Sequence, residues 1–217
     1  MVRVRCAAAL AVIAMVLSGC SGSDEKPLTH AQLKARLLNA STVPPGAKVL
    51  DLGDDADDGV RPAEGLDCDS LISLAGAFYD DKAARPITDA NISVNSRPAD
   101  GGSLWLGNEF LLDYHGDDAH KALVDVRSLV GKCPPEVSDY NITTTYRVAN
   151  VPGLGDEGFY LHASLTNEGG QQMERQSAVV RVGHTLIVIS ATTAILPGAP
   201  SPTDPMIKAA YNRFTSA

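Results

Sequence analysis

Asp113, His115, Asp117, Asp118 and His120 fall within eight positions of one another, a composition suited to holding a metal ion or to moving protons. Zinc would need His115 and His120 to converge from a strand end and a helix, and the two middle aspartates are already accounted for as helix caps. A second acidic run, Asp54-Asp55-Ala56-Asp57-Asp58-Gly59, invites comparison with a calcium loop. With Gly59 at the sixth position of an EF-hand, Ala56 and Gly65 fall where the third and twelfth ligands belong, and neither supplies an oxygen from its side chain. The run reads instead as a solvated acidic loop. Ser103 follows two glycines but lacks the nucleophile elbow G-x-S-x-G, and no glycine loop cradles a phosphate. Glu64, Glu109, Glu136 and Glu157 supply carboxylates without any spacing that pairs them. Trp105 and the tyrosines would suit a ligand cleft, although aromatic residues on strands more often belong to the core. The residues therefore support no catalytic, metal or cofactor site, and the expectation is a non-enzymatic protein.

The cysteines carry a clearer message. Arg3 and Arg5 precede an apolar run from Cys6 to Leu17 of about a dozen residues, short of the roughly 20 that span a bilayer, so the start reads as a cleavable export signal. Leu17-Ser18-Gly19-Cys20 resembles the bacterial lipobox, which implies a diacylglyceryl group on Cys20 and cleavage before it. Each buried methylene contributes about 0.8 kcal/mol, so acyl chains would anchor the chain to the cell membrane on its extracytoplasmic face. With Cys6 removed and Cys20 acylated, Cys68 and Cys133 are the remaining thiols. In an exported protein a disulfide is their expected fate, two unpaired buried thiols being the alternative.

Loss of Arg3 and Arg5 takes the formal charge from -8 to -10. Such an acidic chain, without a Lys/Arg cluster, is repelled by phosphate backbones and anionic headgroups, so nucleic acid is excluded and membrane contact falls to the lipid. The remaining length suits one domain. The organisation expected is a signal at 1–19, a lipidated tether at 20–30 and a folded domain at 31–217.

Within that domain, Thr29 caps a first helix carrying Leu33, Leu37 and Leu38, which ends before Thr42-Val43-Pro44-Pro45-Gly46. A loop follows from Leu50 to Gly65. The spacing of Cys68, Leu71, Ile72, Ala75 and Phe78 predicts a second helix from about Leu66 to Tyr79. From Ile87 the period becomes two, with a hairpin through Ile92 and Val94, a break at Pro98 to Gly102, and a return over Leu104 to Tyr114. Asp117 or Asp118 caps a third helix with the stripe Ala119, Leu123, Val126 and Val130, stopped by Gly131. Strands follow: one with Tyr140, Ile142, Thr144, Tyr146 and Val148 on one face, one with Phe159, Leu161, Ala163 and Leu165 on one face, then Gln171 to Val182. Gly183-His184 suits a type II′ turn into Leu186 to Ala191, a hairpin rich enough in Val and Ile to be central. Asp204 as cap and Pro205 at the first position open a last helix with Ile207, Ala210, Tyr211 and Phe214. This order predicts an α+β fold, an antiparallel sheet with helices packed on one face.

Three stretches, LLNASTVPPG (37–46), VPGLGDEGF (151–159) and VVRVGHTLIVIS (179–190), together resemble the PknH-like extracellular sensor domain of actinobacterial receptor kinases and free-standing lipoproteins, over about residues 31–215. The resemblance implies an antiparallel sheet flanked by helices with a cleft, and binding of a small molecule or envelope component outside the cytosol. No kinase segment is present, so a signal would pass to a membrane partner. The chain departs from the family in having cysteines for one disulfide where two are common, and in carrying His184 where Asn is usual. No binding residue transfers. A lipid or envelope-component carrier is the alternative, and an envelope hydrolase a more distant one.

Overall fold

A computed structural model describes residues 26–50, 64–97, 104–138 and 140–217. Cys20 and the signal-like segment, the acidic run Asp54 to Asp58, the break at Pro98 to Gly102, and Ser103 lie outside the described residues.

The chain forms α1 (His30–Arg36), β1 (Ala47–Leu50), a 3-10 turn (Asp69–Ile72), α2 (Leu74–Asp80), β2 (Thr88–Ser96), β3 (Trp105–Asp113) and α3 (Asp118–Val130). It continues with β4 (Glu136–Val137), β5 (Thr143–Asn150), β6 (Glu157–Thr166), β7 (Gln172–Val182), β8 (Thr185–Ala191) and α4 (Thr203–Thr215). The strands make one antiparallel sheet in the order β1-β2-β3-β8-β7-β6-β5-β4. The β7–β8 hairpin is central, and Gly183 takes φ +60° at the first position of its two-residue turn, where a side chain would be strained.

Helices cover both faces of the sheet, not the one face expected. Leu33 of α1 and Ile207, Ala210 and Phe214 of α4 pack with Ala178, Val180, Ile187 and Ile189. On the opposite face, Leu74 and Phe78 of α2 and Leu123 and Val126 of α3 pack with Phe159, Val179, Leu186 and Val188. The cause lies in the two central strands, which are apolar at consecutive positions and so present hydrophobic side chains to both sides.

Thr29 caps α1 as expected, while other local details depart from the periodic reading. Thr29 and Gln32 form a capping box, with Gln32 N donating to Thr29 Oγ1 at 3.3 Å and Thr29 N donating to Gln32 Oε1 at 2.8 Å. The helix stops at Arg36 because Leu38 N donates to Glu109 Oε2 at 2.7 Å instead of to a helical carbonyl. The expected second helix divides: Ser73 turns extended after the 3-10 turn and accepts from Gly76 N at 3.3 Å, capping α2 anew. Asp117 precedes α3 but makes no side-chain cap, and Asp118 pairs with Lys121 at 2.7 Å. α4 begins at Thr203, so Asp204 sits inside its first turn rather than capping it. β1 and β4 are short edge strands that the sequence pattern did not mark, and Tyr140 is an exposed residue ahead of β5. A disulfide joins Cys68 to Cys133 with Cα atoms 5.6 Å apart, tying the 3-10 turn to the segment leading into β4.

Candidate functional site

The acidic and histidine residues between 113 and 120 do not assemble. Asp113 is fully buried at the end of β3, accepting from Leu28 N at 2.7 Å, His184 Nδ1 at 2.6 Å and Thr185 Oγ1 at 2.6 Å. The Thr185 hydroxyl hydrogen is thereby committed to the Asp113 carboxylate inside the fold. His115 is exposed in the turn before α3, and His120 lies 2.6 Å from Glu157 Oε1 on β6. Glu157 also receives Arg181 Nε at 2.5 Å, and Arg181 pairs with Asp156 at 3.2 Å. Burial pushes the Glu157 carboxyl up, but the hydrogen bonds from His120 and Arg181 outweigh it and hold the group below its usual range. Asp156 Oδ2 accepts from Gly183 N at 2.9 Å, and Arg181 donates to Gly183 O at 2.7 Å. These polar groups satisfy one another and fasten the glycine-rich stretch to the central hairpin. Among the described residues no three His, Cys, Asp or Glu side chains are grouped to hold a metal ion. Glu109, Glu136 and Glu157 stand on β3, β4 and β6. Trp105 is core, buried against the α1/α4 face.

A different set of residues converges on the face that α2 and α3 cover. The strand register aligns Ser93 with Asn108, Asn108 with Ser190, and, one step from the Ala178–Ile189 pair, Ser190 with Ser177. Four short polar side chains thus run in a row across β2, β3, β8 and β7, just beyond the apolar rows that meet the helices. Ser93 Oγ donates to Asn108 Oδ1 at 2.6 Å, Ser177 Oγ accepts from Ala191 N at 3.0 Å, and the hydroxyls of Ser73 and Ser190 lie 3.5 Å apart.

The neighbouring row holds Arg175, Ala163 and Tyr146, paired in that order across β7, β6 and β5. Arg175 and Tyr146 are two strand spacings apart, about 10 Å between backbones, on either side of the small Ala163. Ala163 is buried, while Arg175 and Tyr146 are half-buried. Burial lowers the pKa of the Arg175 guanidinium, with Tyr146 opposing that shift. Burial raises the pKa of the Tyr146 phenol, Glu136 and Asp69 raise it further, and Arg175 works against them. Asp69 directly follows Cys68, and Glu136 lies three residues after Cys133, so the disulfide holds both carboxylates near Tyr146. Among the described residues, the buried Glu136 Oε2 has no hydrogen-bond partner.

Tyr146 was legible in the sequence as a strand residue and, with the other tyrosines, as a candidate cleft aromatic; Arg175, Asn108, Ser177 and Ser190 carried no local mark of a shared site. The available signal was the interruption of two apolar central strands by serine: Ser177 before Ala178-Val179-Val180, and Ser190 after Leu186 to Ile189.

No protein-family model matches the sequence, and no curated protein matches it. Among solved structures, the crystal structure of the extracellular domain of PknH from Mycobacterium tuberculosis is similar at 11% identity, with a TM-score of 0.51, over 88% of this chain and 99% of that one. The chain therefore has a PknH-like extracellular-domain fold, an α+β domain built on a single antiparallel sheet.

Proposed function

We propose that this chain is a lipid-anchored, extracytoplasmic domain that binds a small ligand as a non-enzymatic sensor, with Arg175 and the half-buried members of the polar row, Ser93 and Asn108, as its binding surface. The observation that carries the reading is the row Ser93-Asn108-Ser190-Ser177 and the adjoining Arg175, set on central strands where an apolar surface would otherwise continue. The fold shared with an extracellular kinase domain supports a sensing role outside the cytosol. Leu17-Ser18-Gly19-Cys20 supports attachment through Cys20, and the Cys68–Cys133 disulfide suits an oxidising compartment. Helices filling the apolar rows on both faces favour recognition at a polar surface over carriage of a lipid inside the fold.

The test incubates the purified full mature chain, made without its acyl group, with a small-molecule extract of bacterial envelopes and analyses it by native mass spectrometry. A discrete bound mass that stabilises the protein against heat supports the reading. Absence of any bound component, with no thermal shift, would refute it. Attachment is tested separately: radiolabelled palmitate should enter the wild-type product and fail to enter Cys20→Ala.

A further inference from the structure

We infer that Arg175 is an anion-recognition residue and that the ligand of this sheet face is a small soluble molecule bearing a carboxylate or phosphate group, with the Tyr146 hydroxyl as a second donor. The inference rests on the ligand-binding reading above and names the ligand's class.

The chain has 26 acidic and 18 basic residues, so a cation has abundant opportunity for pairing. Arg181 uses two carboxylates, Lys121 and Lys208 one each, Arg127 donates to Asn150 Oδ1 at 2.6 Å, and Arg213 donates to the Ala35 carbonyl at 2.6 Å. Arg175 makes no ion pair or hydrogen bond among the described residues, although it is half-buried and its charge is penalised by that burial. A guanidinium held partly out of water with its fork unfilled is suited to a carboxylate or phosphate, whose paired oxygens match its parallel N–H groups.

The surroundings narrow the choice. Tyr146, kept protonated by burial and by Glu136, presents a donor beside the guanidinium across Ala163. Ser177 lies two residues from Arg175 on the same face of β7 and is buried with Ser190, while the half-buried Asn108 and Ser93 end the row with an amide and a hydroxyl for a polar body. Asp69 and Glu136 flank Tyr146 and repel negative charge on that side, so the anion seats against the Arg175 guanidinium and stays small. One guanidinium in an acidic molecule fits a compact anion rather than an anionic membrane or a nucleic acid.

The experiment titrates the isotope-labelled mature chain, followed by amide and side-chain resonances, with inorganic phosphate, with acetate, with glycerol as the neutral control and with phosphatidylglycerol vesicles. Saturable shifts at Arg175, Ala163 and Tyr146 with phosphate or acetate, absent with glycerol, support the inference. Arg175→Lys, which keeps charge but loses the fork, should weaken binding about tenfold or more, and Arg175→Gln should abolish it. Arg147→Gln, an exposed arginine on the opposite face of β5, should bind like wild type, and unchanged spectra away from the site show that the variants fold. Equal binding by Arg175→Gln, or response to vesicles alone, would overturn the inference. An envelope component that binds Arg175→Gln as tightly as wild type overturns the anion assignment and leaves the sensor reading intact. Saturable phosphate binding at Arg175 with no envelope component bound does the reverse.

Discussion

Glu109 and Asp113 lie four residues apart on the same face of β3 and hold opposite ends of α1: Asp113 Oδ2 accepts from Leu28 N at 2.7 Å, and Glu109 Oε2 from Leu38 N at 2.7 Å. Both carboxylates are fully buried. α1 is therefore fixed to the sheet by two polar contacts as well as by Leu33 in the core.

Glu109 makes that attachment sensitive to pH. Burial pushes its carboxyl up from 4.5 to about 8, with the Leu38 N–H and Arg213 opposing the shift. The native state thus holds a proton that the unfolded chain has released, so this contribution is full below about pH 4.5 and is lost as pH rises toward about 8. Glu109→Gln keeps an acceptor for Leu38 N and removes the charge. Its melting temperature should exceed that of wild type increasingly across this interval, measured by calorimetry in matched buffers. Parallel pH profiles for the two proteins would contradict it.

Asp113→Ala removes the acceptor of three buried or half-buried donors, from Leu28, His184 and Thr185. The expected loss is roughly 3 kcal/mol, from donors left without partners. Hydrogen exchange should also accelerate over α1, because its entry is released, while the amides of α4 on the same sheet face change less.

Reduction of Cys68–Cys133 opens a bridge between residues 65 apart in sequence. The chain-entropy relation gives roughly 4 kcal/mol for such a closure, corresponding to a fall in melting temperature on the order of 10 °C. The 3-10 turn and β4 should loosen first, and with them the settings of Asp69 and Glu136 around Tyr146. An unchanged melting curve under reductant would count against this.

The glycines of 151–159 differ in what they tolerate. A methyl on Gly158 would collide with the Val179 carbonyl and come within 3.2 Å of Val180 Cα, so Gly158→Ala should cost roughly 2–3 kcal/mol by separating β6 from β7. Gly153 has φ +69° but open space around it, and Gly153→Ala should cost only about 1 kcal/mol, from backbone strain. Denaturant midpoints rank the two.

Periodicity and turn chemistry are local properties, and they sufficed to locate much of the fold. The stripe Ala119, Leu123, Val126 and Val130 became the buried face of α3, and Gly183-His184 became the two-residue turn of the central hairpin. Helix limits were less legible where a distant side chain intervened, as Glu109 does at Leu38 and Tyr160 does at Asp204, to which its hydroxyl donates at 2.5 Å. Of the candidate site, Ser177 and Ser190 were visible as breaks in apolar runs, but their alignment with Asn108 and Ser93 was not.

Taken alone, the amino-acid order determined the acidic charge, the pairing available to Cys68 and Cys133, the α+β class and the central hairpin, because each follows from composition or from residues close in sequence. Only the tertiary structure decided that helices cover both faces, that Asp113 and Glu109 grip α1, and that Arg175 and Tyr146 share one cross-strand row with Ala163 between them. Those outcomes depend on strand order and register, which arise from contacts between residues far apart in the chain and leave no trace in local spacing.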